Sequence, residues 1–182
     1  MSVTFSRLAI LLLFAISSST LAASDAPPRV MPACESAESC FQDALVSSDP
    51  SAPSFDQVRR KIDNLRTVQE RHPGSIWAKR AGLLTGILLI GPDPAEAVRL
   101  FKLAQRDWPL LEEYIRFWTG EALLKAGDAS LAAAVFETIP ETVPDTLLVT
   151  RALFRSGEAW ARAGQCRKAI DPLTRAVSRG PQ

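Results

Sequence analysis

The sequence has 182 residues, of which 47 % are hydrophobic, and it carries 21 basic and 20 acidic residues. This length suits one packed domain, and this hydrophobic content excludes a largely disordered chain. The charges are mixed along the sequence and nearly cancel. The composition therefore argues against a nucleic-acid ligand, because phosphates are neutralised by clustered lysine and arginine.

The first 23 residues have the features of a secretory signal peptide. One basic residue, Arg7, precedes an apolar run over residues 8–16 and a stretch of small residues that ends at Ala23. That run is far shorter than the roughly 20 residues of a membrane-spanning helix. We therefore expect cleavage after Ala22 or Ala23, secretion across the inner membrane, and a periplasmic protein without a stable membrane span.

Residues 24–53 are rich in Pro, Ser, Ala and Asp, which predicts a mobile leader with one short helix over residues 36–46. Cys34 and Cys40 lie six positions apart, and in an oxidising compartment they either close a small disulfide loop or remain thiols. Their spacing is not a metal signature, because no second pair of ligands accompanies them and His72 is the only histidine. We expect Cys166 to be a small buried apolar residue.

From residue 54 onward, apolar residues recur at spacings of three and four, interrupted by Gly and Pro. This pattern predicts an all-α domain over residues 54–182. The segment is also repetitive, because residues 120–128 return as residues 157–165 with Gly-Glu-Ala and Ala-Gly in the same places. Internal repetition of this length indicates a stack of similar helical units.

The repeat extends beyond the matching strings. Counting 12, 16 and 24 positions from Thr85, Gly120 and Gly157 gives three sets of residues that we expect to define the repeat structurally: Ala97, Phe101, Pro109; Ala132, Phe136, Pro144; and Ala169, Leu173, Pro181. A small residue followed by Ala, a bulky residue and Pro at these intervals resembles the tetratricopeptide repeat. The resemblance implies a right-handed α-solenoid of antiparallel helix hairpins.

The predicted units cover about residues 78–111, 113–146 and 150–182, preceded by a partial unit over residues 54–73 that caps the first end. Nothing comparable follows the last unit, so Leu173 and Val177 are expected to lie uncovered. We expect further chain, a partner or self-association to cover that end.

We find no nucleophile motif, phosphate-binding glycine loop or metal-ligand cluster, so we expect neither an enzyme nor a cofactor. His72, which precedes Pro73, is expected to be an exposed turn residue. Glu121 is expected to pair with Lys125, four residues later on one helix. Together these expectations leave macromolecular binding as the predicted activity.

Tryptophan and arginine supply the candidate partner-binding residues. Trp118 and Trp160 are expected to pack between hairpins, whereas Trp108, beside Pro109, is the candidate for an exposed anchor. Arginines at positions 59, 60, 66, 71 and 80 either line a groove that binds carboxylates of a partner or form solvated helix faces. The specific candidates are Arg59, Arg66 and Arg80.

Residues 112–128, Glu-Glu-Tyr-Ile-Arg-Phe-Trp-Thr-Gly-Glu-Ala-Leu-Leu-Lys-Ala-Gly-Asp, together with Phe136, look like the N-terminal superhelix of soluble lytic murein transglycosylases. The resemblance covers about residues 54–179. It implies a periplasmic, peptidoglycan-associated protein, but the catalytic glutamate of that family belongs to a separate lysozyme-like domain that this sequence does not contain.

The sequence is compatible with three functions. The first is an exported non-catalytic scaffold for protein or cell-wall-associated interactions, and the second is the N-terminal part of such a transglycosylase. The third is an outer-membrane assembly scaffold. We expect a periplasmic or envelope protein as partner in each case.

Overall fold

The computed structural model describes residues 34–46 and 54–179, which form helices and turns and contain no strand. The helices, in chain order, are α1 (Ala37–Val46), α2 (Ser54–Arg71), α3 (Ile76–Leu89), α4 (Pro94–Asp107), α5 (Glu112–Ala126), α6 (Ala129–Thr142), α7 (Val149–Arg162) and α8 (Cys166–Ser178), with a 3-10 turn at Pro109–Leu111. The expected all-α class is confirmed. The predicted signal peptide and Pro181 lie outside the described residues.

Within the described part of the chain, the helices pair as four hairpins, α1/α2, α3/α4, α5/α6 and α7/α8, and each hairpin packs on the next. The sequence predicts α2 as a partial unit and assigns the short helix over residues 36–46 to a mobile leader, not to this hairpin. In the structure α1 supplies the missing first helix, because its buried Phe41 and Ala44 pack with α2 and α3. This part of the expected leader is therefore docked on the repeat domain.

Small residues hold the two helices of a hairpin close together. A Cβ built on Gly120 of α5 would lie 2.6 Å from the ring of Phe136 on α6, and Gly157 of α7 has the same relation to Leu173 on α8. Only glycine permits these approaches. The predicted pairing of small and bulky residues is thus the contact that closes each of these two hairpins.

The second hairpin departs from the predicted spacing by one residue. Thr85 is buried as expected, but it is Gly86 whose added Cβ would lie 2.9 Å from Phe101. The turns also differ: α5 ends at Gly127 in the left-handed conformation, with φ of 93°, whereas no residue between α3 and α4 has a positive φ.

Two of the predicted helix ends are confirmed. α4 ends at Asp107, two residues before Pro109, and α6 ends at Thr142, two residues before Pro144. Proline lacks the backbone N–H that would continue the hydrogen-bond ladder. Ala97, Ala132 and Ala169 are buried where the helices cross.

Several side chains lie elsewhere than the sequence predicts. Cys166 is exposed rather than buried, because it is the first residue of α8 and projects beside the turn. Glu121 of α5 forms a salt bridge with Arg155 of α7, and not with Lys125 on its own helix. Val177 is 81 % exposed as expected, whereas Leu173 is half-buried beneath Gly157. Among the described helices, none is both long and apolar enough to cross a membrane.

Candidate binding cleft

A cleft of about 380 Å³ opens between the first two hairpins and the segment that joins α4 to α5. We call it the N-terminal cleft, and it is lined by Phe41 of α1, Arg80, Leu83 and Leu84 of α3, and Trp108 and Leu111 between α4 and α5. Binding pockets are typically of this size and mostly apolar, with a few polar groups that orient the ligand. The lining follows that pattern, because arginine is its one charged member.

Local structure explains why α3 presents its N-terminal turns to the cleft. Ser75 caps the helix by accepting a hydrogen bond from the Ala78 backbone N–H at 3.0 Å. Lys79 then forms an ion pair of 2.8 Å with Asp107 at the end of α4. This ion pair joins α3 to the end of α4, the two segments that supply Arg80 and Trp108 to the cleft.

Trp77 supports one wall of the cleft. Its ring lies 5.3 Å from the ring of Phe41, centroid to centroid, and the Arg80 guanidinium stacks over it at 4.4 Å. An aromatic face attracts a guanidinium and restricts its orientation. The stack therefore holds the exposed Arg80 guanidinium at the rim of the cleft, where it forms no salt bridge within the described residues.

Trp108 forms the opposite wall and has an unmet hydrogen-bonding group. Its side chain is half-buried, so this candidate for an exposed anchor is only partly accessible. Its indole Nε1 is buried and has no hydrogen-bond partner among the described residues. A buried donor without an acceptor costs about 1–3 kcal/mol.

The three candidate arginines do not come together. Arg80 lines the cleft, whereas Arg59 and Arg66 are exposed on α2 and are not part of the lining. A hydrogen bond from Arg99 lowers the pKa of Glu96 on α4, and the charge of Arg66 adds a smaller contribution. The charge of Arg66 thus affects Glu96 on α4. Of the three candidate arginines, Arg80 is the one that lines the cleft.

A second arginine, Arg155 of α7, is fully engaged. Its Nε and one terminal nitrogen donate to the two carboxylate oxygens of Glu121 on α5, each at 2.5 Å, and its other terminal nitrogen donates to Glu158. The hydrogen bonds that Arg155 donates to Glu121 raise the pKa of the guanidinium above its ordinary value. This network joins the third and fourth hairpins and leaves no free charge for a ligand.

Sequence reasoning missed most of the cleft. Phe41, Leu83, Leu84 and Leu111 received no role because their assembly depends on where α1 docks. The available signal was the amphipathic pattern of residues 37–46, whose apolar positions Phe41 and Ala44 need a partner helix.

Comparison with known proteins identifies the fold. The sequence matches no described protein family and no curated protein. Two solved structures resemble the chain, titled MamA MSR-1 C2 and MamA AMB-1 P212121. Their TM-scores are 0.57 and 0.55, each at 15 % sequence identity. The first match covers 78 % of this chain and 86 % of that one, and the second covers 80 % and 85 %.

The chain has a tetratricopeptide-like fold. MamA is itself a helical protein of this type, so the expected α-solenoid is confirmed. The likeness to transglycosylases finds no counterpart among these two neighbours.

Proposed function

We propose that this protein is an exported, non-catalytic scaffold that binds a segment of a partner protein in the N-terminal cleft. The segment places a bulky apolar side chain between Phe41 and Trp108 and a carboxylate against Arg80. The observation that carries the proposal is the cleft itself, an apolar cavity with the exposed Arg80 guanidinium at its rim, stacked on Trp77.

The apolar lining provides the free energy of binding. A leucine or phenylalanine side chain contributes about 1.5–3 kcal/mol when it is fully removed from water. The cleft volume of about 380 Å³ accommodates one such side chain together with part of its backbone. A single anchor of this kind gives a modest affinity that suits a reversible scaffold.

Arg80 provides selectivity for an acidic group. It forms no salt bridge within the described residues, and its contact with Trp77 involves the face of the guanidinium rather than its edge. The edge donors can therefore bind a carboxylate with two parallel hydrogen bonds. An acidic side chain or a C-terminal carboxylate of the partner satisfies this geometry.

Trp108 provides a second polar contact. Its buried N–H has no hydrogen bond within the described residues, so directing it towards an acceptor in the cleft breaks none. A backbone carbonyl of the bound segment would then satisfy the donor. Ligand binding thus removes a free-energy cost that the unbound protein carries.

Export to the periplasm is part of the proposal. It rests on the signal-peptide pattern of residues 1–23. The disulfide between Cys34 and Cys40 supports it, because such bonds persist mainly in oxidising compartments. An envelope protein, including one associated with peptidoglycan, is the partner that this location favours.

A second candidate function is that of the N-terminal part of a peptidoglycan-cleaving transglycosylase. It is supported by the sequence of residues 112–128 alone. Sequencing the gene beyond the codon for Gln182 tests it. A lysozyme-like domain in frame would favour the transglycosylase, and a stop codon would exclude it.

Site-specific photo-crosslinking in the native host tests the cleft. Benzoylphenylalanine replaces Leu84 inside the cleft or, as a matched control, Leu131, which is 60 % exposed on α6. We expect the probe at position 84 to capture a segment with an apolar residue next to an acidic or C-terminal carboxylate, and the probe at position 131 not to capture it. Equal capture from both positions, or a segment without a carboxylate, would overturn the proposal.

A further inference from the structure

The disulfide at the start of α1 lies against two side chains from the end of α2. Cys34 and Cys40 are bonded, with their Cα atoms 5.0 Å apart. His72 Nε2 lies 3.3 Å from the Cys40 sulfur, and an Arg71 guanidinium N–H donates to the Cys34 sulfur at 3.5 Å. The two sulfur atoms and an imidazole nitrogen all lie within 4.8 Å of one another.

This arrangement corrects one sequence prediction and adds a contact that the sequence did not predict. His72 is half-buried beside Cys40 rather than exposed in a turn, and the cysteines do have a histidine partner. The sequence does not show this because His72 is 32 residues from Cys40 and meets it only when α1 docks beside α2. Cys34 and His72 are partly exposed, so an ion from solution can reach the group.

We propose that Cys34, Cys40 and His72 bind one Cu(I) ion when the disulfide is reduced. The three side chains offer two thiolates and one imidazole, and soft sulfur ligands select soft ions such as Cu(I). The inference goes beyond the scaffold function and does not depend on it.

Metal binding requires that the disulfide is reduced first. A dithiol reductant transfers two electrons and two protons to the Cys34–Cys40 bond, which yields two thiols and a disulfide of the reductant. Cu(I) then replaces the two thiol protons, which pass to solvent, and neutral His72 donates its Nε2 lone pair. The metal is neither oxidised nor reduced.

Ligand number and charge favour Cu(I) over Zn²⁺. Structural zinc sites are almost always four-coordinate, whereas the described residues bring three ligands together, and Cu(I) is stable at low coordination number. Two thiolates and one Cu(I) carry a net negative charge that the neighbouring Arg71 guanidinium neutralises. With Zn²⁺ the group of two thiolates and metal would be neutral, so the charge of Arg71 would not stabilise it.

The metal and the disulfide constrain different parts of the chain. The disulfide joins two residues six apart within one segment, so it does not tie α1 to any other helix. A Cu(I) ion held by His72 would tie α1 to the end of α2. Because α1 supplies Phe41 to the N-terminal cleft, the ion would also hold one wall of that cleft in place.

Anaerobic titration of the purified protein with Cu(I), in competition with bicinchoninate, tests the site. A water-soluble phosphine first reduces the disulfide, taking up the oxygen of one water molecule as the two thiols form. We expect one equivalent to bind and the melting temperature to rise, since an ion that binds only the folded state stabilises it. His72→Gln should weaken binding by at least about tenfold and abolish that rise.

Two controls separate ligand loss from misfolding. Cys166→Ser removes the exposed thiol and should bind copper as the wild type does, whereas Cys34→Ser should not bind. Each variant should keep the helical circular dichroism of the wild type. The proposal is overturned if His72→Gln binds as tightly as wild type, if Cys166→Ser abolishes binding, or if only Zn²⁺ binds.

Discussion

Trp108 and Trp160 illustrate how differently two regions of the solenoid use the same side chain. The indole N–H of Trp160 donates to Glu137 at 2.7 Å, and Ser156 donates to the same carboxylate oxygen at 3.1 Å. Lys168 lies over the ring at 4.4 Å. The N–H of Trp108 has no partner among the described residues, and its ring borders the N-terminal cleft.

This difference distinguishes polar groups that stabilise the fold from polar groups that remain available to bind a partner. In the last two hairpins, Trp160 donates its hydrogen bond to Glu137. Arg155 donates to Glu121 and Glu158. At the N-terminal cleft, the corresponding donors of Arg80 and Trp108 lack carboxylate partners in the described chain. We therefore expect substitutions in the C-terminal region to change stability, and substitutions at the cleft to change binding.

The largest expected effect is on close packing in the third hairpin. Gly120→Ala should lower the free energy of unfolding by about 3 kcal/mol, because the new methyl group would overlap the Phe136 ring. Gly82→Ala in α3 is the matched control, since its nearest neighbour is the end of the Gln69 side chain, at 3.3 Å, rather than an aromatic ring. Its higher helix propensity should raise stability by up to about 1 kcal/mol. Urea unfolding measures the free energy of unfolding of both variants. Equal effects would refute the close approach of Gly120 to Phe136.

The paired tryptophan substitutions test the comparison itself. Trp160→Phe should lower the free energy of unfolding by about 2 kcal/mol, because Glu137 loses a charge-assisted hydrogen bond. Trp108→Phe removes an unpaired buried donor and should change stability by about 0.5 kcal/mol or less, in either direction. Chemical denaturation of the two variants side by side checks this. A larger loss for Trp108→Phe would show that its indole is structural.

The smallest effect concerns acid stability at the start of α4. The hydrogen bond from Arg99 holds the pKa of Glu96 below its ordinary value, so the carboxylate stabilises the folded state above its unfolded pKa. This stability is lost as the pH falls through the folded pKa. Because the pair is exposed, Glu96→Gln should remove only about 0.5 kcal/mol at neutral pH. At about pH 3 the variant and the wild type should converge; a constant difference would contradict the assignment.

The repeat domain could be predicted from sequence because its spacing reflects a local rule. Gly120 and Phe136 recur with Gly157 and Leu173 since each hairpin needs a small residue opposite a large one. The binding cleft could not be predicted in this way. It depends on Phe41 reaching α3, and the Cys40–His72 contact likewise depends on how α1 packs.

Single side chains were predicted least well where an interhelical partner competes with a local one. Glu121 has Lys125 four residues away on its own helix, but Arg155 offers two parallel hydrogen bonds from the next hairpin. A bidentate arginine pair is stronger than an exposed pair within one helix. Sequence spacing alone contains no information about that choice.

The most direct test of the cleft compares two arginines by calorimetric titration of the segment captured at position 84. Arg80→Gln should weaken binding about tenfold, as expected for the loss of a charge-assisted hydrogen bond. Arg59→Gln, which removes an exposed arginine on α2 outside the cleft, should leave the affinity unchanged. Equal losses from the two variants would mean that general positive charge, and not the N-terminal cleft, binds the partner.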